Sequence, residues 1–215
     1  MRIAVLSESP ADEAAIRILI ESVLGRPTQS VEPPPQRLRT RGWPSVLLII
    51  PKVLQHLHYH TDAEACAIVV DTDASPVHQA THEQPGGAVS TCRLCQLRQV
   101  VTQTQSRLRS MPGRLPLQTA VGVAVPAIEA WYCCGRNPQV TEATWLRGLE
   151  TRSCPYTRHS LKQDTYGTDR PSLELEMQRV IEAAQLLAQN LPLLERLFPY
   201  GFGSLAQAVR GWVLT

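Results

Sequence analysis

Ala-Cys-Ala-Ile-Val-Val-Asp-Thr-Asp-Ala-Ser, residues 65–75, is the stretch whose reading decides the fold. Six small or apolar residues in a row suit a short strand buried on both faces. That strand delivers two carboxylates, Asp71 and Asp73, at its carboxyl end. Residues i and i+2 of an extended segment point the same way, so the pair is expected to share one face. Two like charges a few ångströms apart repel unless a cation lies between them. Oxygen-only ligands favour a hard ion, Mg²⁺ or Mn²⁺, over zinc. A capped turn is the competing reading, with one Asp closing the turn and the other capping the next helix.

Working outward, a chain of 215 residues with 43% hydrophobic content can bury one core, in one domain or in one domain with a helical annex. Aromatic residues are only 5%, which leaves little material for base-stacking platforms. The net charge of +2 argues neither for nor against a polyanionic partner, but the positive charge is nearly all arginine, with Lys52 and Lys162 the only lysines. Guanidinium is the better phosphate fork, so the composition permits phosphate contacts. Six cysteines at this length do not make a disulfide scaffold. The opening residues lack the apolar run of a secretory signal, and the apolar run 46–50 is too short to span a membrane. The expected location is the cytoplasm, with reduced thiols and no membrane contact.

Upstream, residues 2–6 read as a first buried strand ending in Ser7-Glu8-Ser9-Pro10. Ile16, Leu19, Ile20, Val23 and Leu24 then form a helical stripe that Gly25 stops. Glu8 therefore falls at the carboxyl edge of strand one, where open α/β sheets bind ligands, or is an exposed loop acid. Asp12 lies in the first helical turn, where the dipole alone would favour it. A short edge strand is expected about residues 29–32. Arg37, Arg39 and Arg41 alternate in a basic segment, a phosphate face or a solvated loop. Residues 44–59 read as a helix that Pro51 kinks or restarts. His56, His58 and His60 alternate at i+2, which scatters them around that helix and argues against a metal cluster.

Downstream, residues 76–89 form a loop rich in Gly, Pro and His. His78 and His82 precede Cys92 and Cys95, the inventory of a structural Zn²⁺ site. Residues 92–108 also read as a helix, and the favoured reading places the two cysteines in its buried stripe. Residues 117–125 are the next strand, closed by Pro126, and Glu129 follows at its carboxyl end as a third strand-end acid or as a dipole-complementing helix start. The last third is helical, over 141–149, 171–189, 193–197 and 204–213, with 152–168 irregular and carrying Lys162, a phosphate-facing cation or an ordinary surface lysine. Alternating strands and helices make a mainly parallel sheet of about four strands the economical architecture. The α/β part spans 1–135 and a helical C-terminal extension spans 136–215.

Glutamate, Asp-x-Asp and glutamate at three strand ends resemble the Toprim fold of topoisomerases, primases and OLD-family nucleases. Three segments carry the resemblance: Glu8-Ser9-Pro10-Ala11-Asp12-Glu13, Asp71-Thr72-Asp73, and Val125-Pro126-Ala127-Ile128-Glu129-Ala130-Trp131. The last is similar to small stand-alone Toprim proteins related to the OLD nucleases and often encoded beside an ATPase in phage-defence loci. The family usually has glycine after the first glutamate, where Ser9-Pro10 stands here. The resemblance implies a Mg²⁺- or Mn²⁺-dependent nuclease acting on DNA or RNA, with one or two ions. Asp71, Asp73, Glu8, Asp12 and Glu129 would be ligands, Glu8 an acid or base, and Lys162 would face the scissile phosphate. A non-catalytic Toprim-fold partner of an ATPase is the alternative.

Overall fold

The computed structural model describes residues 1–33 and 43–213, so the Arg37, Arg39 and Arg41 segment lies outside the described residues. Four strands, β1 (Arg2–Leu6), β2 (Gln29–Ser30), β3 (Ala65–Asp71) and β4 (Gln118–Ala124), form one all-parallel sheet in the order β2-β1-β3-β4. Helices flank the sheet, and the C-terminal part of the chain is helical. α1 (Pro10–Leu24) joins β1 to β2, α2 (Trp43–His60) leads to β3, and α3 (Arg93–Gln105) leads to β4. After β4 come α4 (Glu129–Tyr132), α5 (Glu142–Thr151), α6 (Arg158–Tyr166), α7 (Leu173–Ala188), α8 (Leu191–Leu197) and α9 (Ser204–Arg210).

The strands show why a parallel sheet reads as an unbroken apolar run. Every residue of β3 is buried. Ala65, Ala67 and Val69 face one core with Ile3, Val5, Ala120 and Ala124, while Cys66, Ile68 and Val70 face the other with Ala4, Leu6, Val121 and Val123. α2 and α3 cover the second face. α1 and α9 cover the first, with α7 packed on α1, so residues on both sides of position 135 contribute to one apolar cluster. α9 comes so near β4 that a Cβ built on Gly122 would lie 3.1 Å from Leu205 Cβ.

Helix ends follow local chemistry. Ser9 caps α1 by accepting the Asp12 amide, Pro10 sits in its first turn, and Gly25 closes it at φ 65°. Ser9-Pro10 is thus a helix start of its own kind, filling the place where the Toprim resemblance expects glycine. Pro51 lies inside α2, which runs on past it as one helix of 18 residues. Two expectations are corrected. The segment 152–168, read as irregular, contains α6, capped by the reciprocal Thr157–Ser160 pair and closed by Gly167 at φ 74°. Its apolar stripe is short, Leu161 and Tyr166 with Thr165, which is why periodicity alone missed it. In addition, β3 ends at Asp71, and Asp73 stands beyond it in a turn at φ 48°. The extended i, i+2 geometry therefore does not hold for the Asp pair.

Candidate functional site

β1 connects outward to β2 on one side, whereas the chain crosses to β3 and β4 on the other. The carboxyl ends of β1 and β3 therefore flank the point where strand order reverses, the usual ligand crevice of open parallel sheets. Glu8 follows β1 and Asp71 ends β3, and the Asp71 amide donates to Glu8 Oε1 across that point at 3.3 Å. Glu129 follows β4, next to β3, and begins α4. Asp12 projects from the first turn of α1.

Each acid is held differently. Asp71 is buried, with Oδ1 accepting the Ile128 amide at 2.9 Å and Oδ2 taking Arg158 Nη2 at 2.6 Å. Asp73 Oδ2 accepts Arg93 Nη1 at 2.7 Å, and its Oδ1 pairs with Arg158 Nη1. The cation between the two aspartates is thus a guanidinium. Arg93 Nη1 also donates to the Asp71 carbonyl at 2.5 Å, and its guanidinium lies 4.8 Å from the centre of the Trp43 ring. Asp12 accepts Ser9 Oγ at 2.8 Å and the Tyr132 hydroxyl at 2.9 Å. Glu129 is 6% exposed, and its Oε2 is buried without a hydrogen-bond partner.

Burial and mutual repulsion drive Asp12, Glu129 and Asp71 toward protonation. Burial pushes Asp12 up to about 6, with Glu176 and Glu8 adding to it and the two hydroxyl donors opposing it. Burial pushes Glu129 up to about 7, raised further by Asp12 and partly relieved by Lys162. Asp71 is also raised well above the usual carboxylate range by burial and by Glu8, against the pull of Arg158. Groups that are costly to ionise in a crevice, with one oxygen orphaned, suit a site completed by a cation. Lys162, one helical turn beyond Arg158 on α6, brings a second positive charge within reach of Glu129.

All five acids expected at the site lie in or beside this crevice, as does Lys162. Arg158, Arg93, Tyr132 and Glu176 are the members that sequence reasoning missed. A signal for the arginines existed: each is the first residue of its helix, where the dipole disfavours a cation unless an anion faces it. The acids do not form a ready cage. Among the described residues, one group of three or more His, Cys, Asp or Glu has its ligand atoms within 4.8 Å of one another, and it is His78, His82, Cys92 and Cys95.

Cys92 is buried in the second apolar cluster with Cys95 packed against it, as the core reading expects, and the same two cysteines also join a candidate metal cluster. Cys92 is the N-cap residue of α3 and Cys95 lies in its first turn. Both sulfurs turn to the preceding loop, where Cys92 Sγ and Cys95 Sγ each lie 3.6 Å from His78 Nδ1, and Cys95 Sγ lies 3.8 Å from His82 Nδ1. The four side chains can hold a metal ion. His78 Nε2 meets Glu83 Oε1 at 3.2 Å, and Arg98 links Glu83 (2.8 Å) to Ser204 at the start of α9 (2.7 Å). A carboxylate on the far nitrogen keeps the proton there and leaves Nδ1 free to ligate. By contrast, His58 is buried against the Arg109 carbonyl, and His56 stacks on His60.

No protein-family model, curated protein or solved structure matches this chain. Among the described residues no helix is long and apolar enough to cross a membrane.

Proposed function

We propose that the chain is a Mg²⁺- or Mn²⁺-dependent phosphodiesterase of Toprim type that hydrolyses DNA or RNA. The observation that carries this reading is Glu129, whose buried carboxylate oxygen has no partner and which stands with Glu8 and Asp71 at the ends of three adjacent parallel strands. The oxygen-only donor set fits a hard divalent ion. Glu8, Asp71 and Asp73 would hold it, with Asp12 and Glu129 available to a second ion. Bound there, the ion would lower the pKa of a water and neutralise charge growing on the phosphodiester. Tyr132 and Ser9 orient Asp12, the Ile128 amide fixes Asp71, and Lys162 stands ready for a phosphate oxygen. Cleavage of single- and double-stranded DNA and of RNA with Mg²⁺ or Mn²⁺ tests the reading. Asp71→Asn and Asp73→Asn should each lose at least 100-fold in rate, and full activity in either would refute it.

A second reading, a non-catalytic partner of an ATPase in an anti-phage complex, is favoured by the two arginines that already neutralise Asp71 and Asp73. Stable complex formation with such an ATPase, together with no Mn²⁺ binding by calorimetry, would select it.

For the ion in the His₂Cys₂ cluster the reading is structural Zn²⁺. Tetrahedral zinc places nitrogen and sulfur ligands about 3.6 Å apart, close to the 3.6–3.8 Å spacings found here. The single lone pair of His78 Nδ1 cannot serve two thiol donors, whereas one cation serves both sulfurs and both rings. Such a site needs reduced thiols, in keeping with a cytoplasmic location. Elemental analysis of protein purified without chelator should give one zinc per chain, falling below about 0.1 in Cys95→Ser.

A further inference from the structure

The two arginines at the Asp pair are held in unlike ways. Arg93 is fixed on every side, with its side chain 14% exposed, its guanidinium against Trp43, and bonds to the Asp71 carbonyl and to Asp73. Trp43 is in turn pinned by a 2.7 Å bond from its Nε1 to Gln96. Arg158 reaches the same aspartates from the solvent side, 40% exposed, its polar contacts among the described residues being those to the two carboxylates. Asp71 divides its oxygens accordingly. Oδ1 is locked by the Ile128 amide, while Oδ2 faces Arg158. Oδ2 can change partner while the Asp71 side chain stays where it is.

From this asymmetry we propose that Arg158 is an exchangeable counter-ion: it fills the cation position between Asp71 and Asp73 until a divalent ion displaces it, and then grips a substrate phosphate. The inference rests on the phosphodiesterase reading above. Arg158 fills the space between Asp71 Oδ2 and Asp73 Oδ1, so an ion that bridges those two oxygens takes the place its guanidinium now occupies. Its place at the first position of α6 limits where it goes. The side chain stays tethered at the mouth of the crevice, one turn from Lys162, as a planar fork suited to the anion that arrives next. Leaving a helix N-terminus costs a cation nothing in dipole terms. Arg93 remains as the fixed clamp on Asp73.

The test uses full-length, zinc-loaded protein, so that the His₂Cys₂ cluster does not take up the probe. Mn²⁺ binding, followed by electron paramagnetic resonance, should tighten at least tenfold in Arg158→Gln, because the ion no longer competes with a resident charge. Arg158→Lys, which keeps the charge, should stay within about threefold of the parent. Affinity for a DNA oligonucleotide in Ca²⁺ should fall about tenfold in Arg158→Gln, with part of the loss restored in Arg158→Lys. Parent-like or weaker Mn²⁺ binding in Arg158→Gln would overturn the inference. If that Mn²⁺ binding still depended on Asp71 and Asp73, the phosphodiesterase reading would stand. If neither parent nor Arg158→Gln bound Mn²⁺, both would fall.

Discussion

Glu129→Gln offers a sharp test of whether the crevice is built for a cation. In the folded chain burial lifts the Glu129 carboxyl to about 7, from an ordinary 4.5. Between those two values the folded chain holds a proton that the unfolded chain has released. The raised group therefore contributes stability that is present below about pH 4.5 and is lost as pH rises through about 7. The whole difference corresponds to about 3 kcal/mol, of which about 2 kcal/mol falls between pH 5 and pH 8. Gln keeps the shape and carries no charge at any pH. Without divalent ions, the stability of Glu129→Gln relative to the parent should thus improve by about 2 kcal/mol between pH 5 and pH 8. Urea unfolding followed by tryptophan fluorescence measures it, and titration of Asp12 and Glu142 largely cancels because both proteins retain those groups. Saturating Mg²⁺ at pH 8 should close part of the gap, since the ion on Glu8, Asp71 and Asp73 stabilises both proteins whereas a second ion stabilises only the chain that keeps Glu129. A gap that is flat with pH would refute the buried-charge argument. A gap that Mg²⁺ leaves untouched would remove Glu129 from the metal site.

Three further outcomes follow from other parts of the fold. Tyr132→Phe removes one of the two hydroxyl donors on buried Asp12; it should cost about 1–3 kcal/mol at pH 8 and less at pH 5, where Asp12 is protonated, as read by the same unfolding assay. Stripping the His₂Cys₂ cluster with a strong chelator should lower the melting temperature and expose the loop 76–92 to protease, with both effects reversed by Zn²⁺ and absent in Cys95→Ser. Gly122→Ala would place a methyl group 3.1 Å from Leu205 Cβ; overpacking of that kind costs about 1–3 kcal/mol and should leave zinc content unchanged.

Much of the scaffold was legible because buried parallel strands announce themselves. β1 and β3 are apolar runs ended by polar residues, β4 is one closed by Pro126, and α1 has both a 3.6-residue stripe and two end signals. From those ends alone, Glu8, Asp71 and Glu129 could be placed near one crevice. The His₂Cys₂ cluster was legible only as an inventory. A three-residue cysteine spacing fits a buried helical stripe as well as a ligand pair, here the two coincide, and which way the sulfurs point depends on where the helix begins. It begins at Arg93, which leaves Cys92 as a cap and turns both sulfurs toward the loop.

The arginines were illegible for a deeper reason. Arg158 lies 87 residues from Asp71 along the chain, in a segment whose helix rests on capping rather than on an apolar stripe. Its one local signal, a cation on the first residue of a helix, could be read only once α6 itself was recognised. What singles it out is a conflict of levels: a cation at the positive end of a helix is locally unfavourable, and the tertiary fold resolves the conflict by presenting two carboxylates. Arg93 repeats the arrangement at the start of α3, against the same pair. Two helices that each open on a cation, both aimed at Asp71 and Asp73, mean that the crevice attracts positive charge strongly enough to offset two unfavourable dipole placements. On the proposed reading, a divalent ion entering the crevice would meet acids that already hold guanidinium charge, and would take the place of the more exposed of the two arginines.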